Sequence, residues 1–104
     1  MQINTIIIGL GKSFYLNNKY NTYTHSFSIK KYRKIFINKL LDKNYKKIQN
    51  AYKLMKCKYN NIKLSNIKNL QLIILSTPTK LHFKSLKKLL NNLAVKPKCI
   101  LIEK

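Results

Sequence analysis

Residues 70–75 read Leu-Gln-Leu-Ile-Ile-Leu, and this run constrains the fold more than any other stretch of the chain. A strand with one wet face alternates apolar and polar residues. A strand covered on both faces reads as an unbroken apolar run. Residues 3–8, Ile-Asn-Thr-Ile-Ile-Ile, a β-branched run interrupted by Asn4, and residues 99–102, Cys-Ile-Leu-Ile, also read as buried strands. A further apolar stretch runs through Ile35-Phe36-Ile37 and Leu40-Leu41 and stops at Asp42. Between these runs the period changes. Ile48, Ala51, Tyr52 and Met55 fall at i, i+3, i+4 and i+7, and so do Leu86, Leu89, Leu90 and Leu93. That spacing predicts one helix from about residue 43 and another over about 80–94, which Pro97 stops. Asp42 or Asn44 would cap the first.

The remaining stretches are weaker. Residues 12–21 read as a loop, 24–33 carry weak helical character, 57–59 fit a short edge strand, and 62–70 fit a short helix and connector. Strands that alternate with helices and are covered on both faces define an α/β fold. The expected form is a Rossmann-like parallel sheet of about five strands with helices on both faces. At 104 residues the chain has room for one domain.

The charge is extreme: 22 Lys+Arg stand against 2 Asp+Glu, a formal net charge of +20. One reading is a small basic nucleic-acid-binding protein of ribosomal type. The other is a compositional bias toward lysine, asparagine, isoleucine and tyrosine, which scatters lysine along the whole chain, as here. There is no zinc-ligand spacing, no RNP-like aromatic motif and no Lys/Arg cluster. Either way, non-specific attraction to polyanions is expected. Cys57 and Cys99 lack metal-ligand spacing and sit in apolar stretches, which suggests two buried free thiols in a reducing cytoplasm. No stretch looks like a signal peptide or membrane span, so a cytoplasmic protein without membrane contact is expected.

Three features carry chemistry. Gly9-Leu10-Gly11 follows the first strand. A dinucleotide fingerprint uses its first glycine for a tight turn and its second for close approach to pyrophosphate. A plain turn fits the same residues, and the small third position of the fingerprint is here Phe14. Asp42 ends the second strand, where an acid accepts hydrogen bonds from ribose hydroxyls; a helix cap is the alternative. The other acid, Glu103, ends the last strand. Both acids of the chain thus fall at the carboxyl ends of strands, where open α/β sheets bind their ligands.

The segment Leu72-Ile73-Ile74-Leu75-Ser76-Thr77-Pro78-Thr79-Lys80-Leu81-His82 resembles the fourth strand and following turn of the Gfo/Idh/MocA oxidoreductases, the glucose–fructose oxidoreductase and inositol dehydrogenase family. Residues 97–104, Pro-Lys-Cys-Ile-Leu-Ile-Glu-Lys, resemble that family's fifth strand and its Glu-Lys-Pro signature. The resemblance implies an N-terminal NAD(P)-binding domain. Gly9 and Gly11, with the backbone at Lys12 and Ser13, would face the pyrophosphate. Asp42 would hold the adenosine ribose. Ser76, Thr77 and Pro78 would line the middle of the cofactor, with His82 at the start of the next helix, where a surface or capping histidine is the alternative. Glu103 and Lys104 would lie beside the nicotinamide, and Lys104 is the one catalytic candidate. Asp42 favours NAD, while Lys43 beside it tolerates the extra phosphate of NADP. The family builds its substrate pocket in a second domain that this sequence does not contain. The resemblance therefore implies cofactor binding without independent catalysis, and as partners a separately encoded C-terminal domain or further copies of the chain. His25 matches no motif.

Overall fold

The apolar run at residues 3–8 becomes one of two strands with a neighbour on each side. The structure is a computed structural model and describes residues 2–10, 34–54 and 62–102. In chain order the elements are β1 (Ile3–Ile8), β2 (Ile35–Leu41), α1 (Tyr45–Leu54), a 3-10 turn (Leu64–Asn66), β3 (Leu72–Leu75), a second 3-10 turn (Thr79–Leu81), α2 (His82–Asn92) and β4 (Cys99–Ile102). The four strands form one sheet in the order β2-β1-β3-β4, and every neighbouring pair is parallel. This is an α/β arrangement.

Side chains of successive strand residues point to opposite faces, and the core divides accordingly. Ile7 and Ile74 pack on one face with Ile37, Leu40, Ala51 and Tyr52, so α1 covers that face. Ile6, Ile8, Ile73 and Leu75 pack on the other with Ile67, Leu70 and Leu89, so α2 and the 62–70 segment cover that one. Ile6, Ile7 and Ile73 are fully buried. The expected double covering is present: α1 lies on one face, and α2 and 62–70 on the other.

Strand β2 carries an irregularity that its sequence requires. Its register against β1 shifts after Thr5, which pairs with Ile37, because Ile6 pairs with Lys39. The bulge at Asn38 lets Ile37 and Leu40, three positions apart, face the same core. Without it, strict alternation would turn one of them to the opposite side. Leu40 N–H donates to the buried Tyr52 hydroxyl at 3.2 Å, which ties α1 to this strand. On the other face Lys39 extends its ammonium to the Ile62 carbonyl at 2.6 Å. Burial lowers the pKa of that ammonium.

Two expectations are corrected. Among the described residues the sheet has four strands rather than about five; the edge-strand candidate at 57–59 lies outside them, as do Met55, Cys57, the 12–21 loop and the 24–33 segment. The 62–70 segment is a short helix and connector as expected, its helix being the three-residue 3-10 turn Leu64–Asn66. Ser65, Asn66 and Asn69 compete for backbone hydrogen bonds and disfavour a longer helix, while burial of Ile67 and Leu70 fixes the path. Strand β4 is not buried: Leu101 is 42% and Ile102 53% exposed, and the Cys99 thiol is exposed rather than in the core. Among the described residues β4 pairs on one side only, and of its residues only Ile100 packs against the α2 side. No described helix is long and apolar enough to cross a membrane.

Ile73→Ala should lower unfolding stability by about 2–5 kcal/mol, because it empties a fully buried site between β1 and α2. Ile102→Ala, at a half-exposed edge, should change it by less than about 1 kcal/mol. Urea denaturation of the two variants checks the contrast.

Candidate functional site

The strands finish at one level. Ile8 lies opposite Leu41 and Leu75, and Leu75 lies opposite Ile102. Gly9, Asp42 and Ser76 therefore emerge side by side at the carboxyl edge. The sheet grows in both directions from β1, to β2 on one side and β3 on the other. Such a divergence leaves a crevice above the strand ends, which is where open α/β sheets bind ligands. A cleft of about 840 Å³ opens here, lined by Gly9, Asp42, Ser76, Thr77 and Pro78 among others. Its size suits a small-molecule ligand.

Gly9 has φ +93°, a conformation that side chains rarely adopt. A Cβ there would lie 2.6 Å from the Ser76 carbonyl carbon and 2.7 Å from the Thr77 nitrogen. The close approach that requires glycine is thus made by the backbone leaving β3. Hydrogen bonds lace the same three strand ends together: Gly9 N–H donates to the Leu41 carbonyl and Ser76 N–H to the Ile8 carbonyl, both at 2.8 Å. Leu10 N–H donates to Asp42 Oδ2, also at 2.8 Å. Both described amides of the glycine turn are therefore engaged. Gly11, Lys12, Ser13 and Phe14 lie outside the described residues, as do His25, Glu103 and Lys104.

Asp42 joins two loops. Its Oδ2 takes the Leu10 amide, and its Oδ1 takes the Asn44 amide at 2.8 Å. The cap of α1 is Asn44, whose Oδ1 accepts from Lys46 N–H at 2.9 Å and Lys47 N–H at 3.4 Å. A carboxylate has about four acceptor sites. One on each oxygen remains, a pair suited to two neighbouring hydroxyls. The surroundings are cationic: Lys43, Lys47 and Lys88 also line the cleft, and α1 points its positive N-terminal end toward it with no acid in its first turn.

On the β3 side the polar groups are left incomplete. Ser76 Oγ and Thr77 Oγ1 are buried atoms with no hydrogen-bond partner among the described residues. A buried hydroxyl without a partner is unfavourable by about 1–3 kcal/mol, so a group that completes these bonds is favoured there. His82 stands behind the loop rather than in the cleft. Its Nε2 meets the Thr77 carbonyl at 2.6 Å. A carbonyl only accepts, so Nε2 carries the proton and the ring braces the Ser76–Pro78 turn. No group of three or more His, Cys, Asp or Glu able to hold a metal occurs among the described residues.

The structure thus brings together Gly9, Asp42, Ser76, Thr77 and Pro78, with His82 one contact away. It adds lining residues that the motifs did not single out: Lys47 on α1, and Ser85, Lys88 and Asn92 on α2. Their signal lay in helix phase. Once Leu86, Leu89 and Leu93 set the buried face of α2, Ser85, Lys88 and Asn92 fall together along one flank. No protein-family model, curated protein or solved structure matches the chain.

Gly9→Ala should destabilise the chain by at least about 2 kcal/mol, from backbone strain plus the clash with the β3 exit. Asp42→Asn presents one amide group where two acceptors are needed and should be about 1–3 kcal/mol less stable. Thermal melts followed by circular dichroism measure both effects.

Proposed function

We infer that the chain is a Rossmann-type nucleotide-binding domain whose cleft takes NAD or NADP. The observation that carries this reading is the meeting of Asp42 with the unpartnered hydroxyls of Ser76 and Thr77 across one crevice at the point where the sheet diverges. An acid at the tip of β2 and hydroxyls at the tip of β3 suit the two ends of an extended dinucleotide laid over β1. The cationic lining supports an anionic ligand between them, since Lys43 and Lys88 supply charge where the described amides of the glycine turn are engaged.

The Thr77-Pro78 and His82 pattern narrows a nucleotide in general to a nicotinamide dinucleotide, through its resemblance to the Gfo/Idh/MocA oxidoreductases. Bound NAD(P) supplies hydride chemistry; the residues of this chain bind and orient it. Asp42 receives the adenosine ribose, which favours NAD, and Lys43 beside it leaves room for the phosphate of NADP. Ser76 and Thr77 receive the ribose or carboxamide of the nicotinamide half, and His82 holds their loop in shape through Thr77.

Titration with NADH and with NADPH, followed by reduced-nicotinamide fluorescence, tests the reading. Binding of at least one at millimolar or lower concentration is expected, and no binding of either would sink it. Ser76→Ala and Thr77→Val separate a ligand role from a structural one. Each removes a hydroxyl that has no partner among the described residues, so stability should hold or rise slightly while cofactor affinity falls by about tenfold, the equivalent of one lost hydrogen bond. Unchanged affinity in both variants would contradict the proposed contacts.

A further inference from the structure

Away from the cleft, α2 carries a surface that its packing does not explain. Leu86 and Leu89 face the sheet. On the outer side stand Phe83, which is 78% exposed, and Leu90, which is 37% exposed. They lie seven residues apart, two helical turns along one flank. Lys84 and Lys87 are exposed beside them, and the Lys87 ammonium sits 5.9 Å from the centre of the Phe83 ring. Phe83 is the most exposed of the large apolar side chains of the described residues. A ring in that position makes no contribution to the core.

We propose that this outer strip of α2 is a binding surface for single-stranded nucleic acid, with Phe83 as a stacking platform and Lys84 and Lys87 as phosphate contacts. Two independent observations select this occupant. The chain carries +20 net charge with only two acids, so the surface is complementary to a polyanion. An exposed aromatic ring interleaved with lysines is the arrangement that binds unpaired bases, because every base offers a π-face to the ring while its phosphate meets an ammonium. Lysine alone attracts any polyanion; the ring adds a preference for one that carries flat bases. An apolar protein partner would leave Lys84 and Lys87 without counter-charge unless that partner were itself acidic. The strip lies outside the residues that line the cleft, apart from its neighbour Lys88, so the inference stands independently of dinucleotide binding.

Fluorescence anisotropy with labelled oligo(dT) and oligo(U) of twenty nucleotides, at salt from 50 to 200 mM, tests it. Binding that persists at about 150 mM and weakens about tenfold in Phe83→Leu, but not in Phe83→Tyr, is the expected result for at least one of the two oligomers, and their relative affinities assign the strip to DNA or RNA. Lys84→Gln with Lys87→Gln should reduce the slope of log affinity against log salt by about 1.4, the value for two lost phosphate contacts on a single strand. Circular dichroism of each variant confirms the fold. Three results would each overturn the proposal: Phe83→Leu binding both oligomers as the parent does, heparin or poly-glutamate competing as well as the oligomers at 150 mM, or no retention of either oligomer at that salt.

Discussion

The structure depends on the seat of β1 between β2 and β3 and on one contact at its exit, where Gly9 lies against the backbone of Ser76 and Thr77. β1 has a strand on each edge and a layer on each face. Its last residues are almost wholly removed from water. The contact at Gly9 admits no Cβ and is flanked by the bonds from Gly9 to Leu41 and from Ser76 to Ile8. Three strand ends are thereby drawn into one row, and everything that lines the cleft is measured from that row. The glycine has a structural duty that would be present without any ligand. What it provides to a ligand is indirect: it brings the β2 tip and the β3 tip within one crevice.

Charge sets the second constraint. A chain with +20 net charge repels itself in the compact state. Most of the described lysines are exposed, where salt screens them over about 8 Å at physiological ionic strength. Lys39 is the exception, partly buried with its ammonium on the Ile62 carbonyl and its pKa lowered by that burial. Against this background Asp42 is unusual. It sits among Lys43, Lys47 and the N-terminus of α1, and uses both oxygens to hold two loops. It is therefore a structural residue at the place where a ligand residue is also expected. The two duties are compatible, because two amides leave half of the carboxylate's acceptor capacity open.

The strands were readable from residue patterns because each is a short, mainly apolar stretch, and 3–8, 35–41 and 99–102 coincide with β1, β2 and β4. Burial of β4 was misread for the same reason: Cys99-Ile100-Leu101-Ile102 is as apolar as a central strand, and nothing local records that, among the described residues, it pairs on one side only. At the site, the residue types at the strand tips were legible, since turn chemistry is local. Their partners were not. That Asp42 meets Leu10, thirty-two positions away, and that the bulk excluded at Gly9 belongs to Ser76 and Thr77, are consequences of strand order, which no window of sequence contains.

Helix α2 links the two surfaces. Leu89 faces the core, while Ser85, Lys88 and Asn92 border the cleft. Phe83 stands about 140° around the helix from Lys88, counting five residues at 3.6 per turn. A ligand in the cleft and a strand laid along the outer face would therefore meet different sides of one rigid element and need not exclude each other. Both would draw on the same positive field. The ordering between them follows from where charge is specific: in the cleft lysines supplement Asp42 and two incomplete hydroxyls, whereas on the outer strip the lysines are the only polar recognition beside the ring. Screening by salt falls more heavily on the outer strip, because a solvent-exposed charge pair loses more of its attraction than one held in a partly enclosed crevice. The ring of Phe83 is what makes that strip more than a share of the general positive surface.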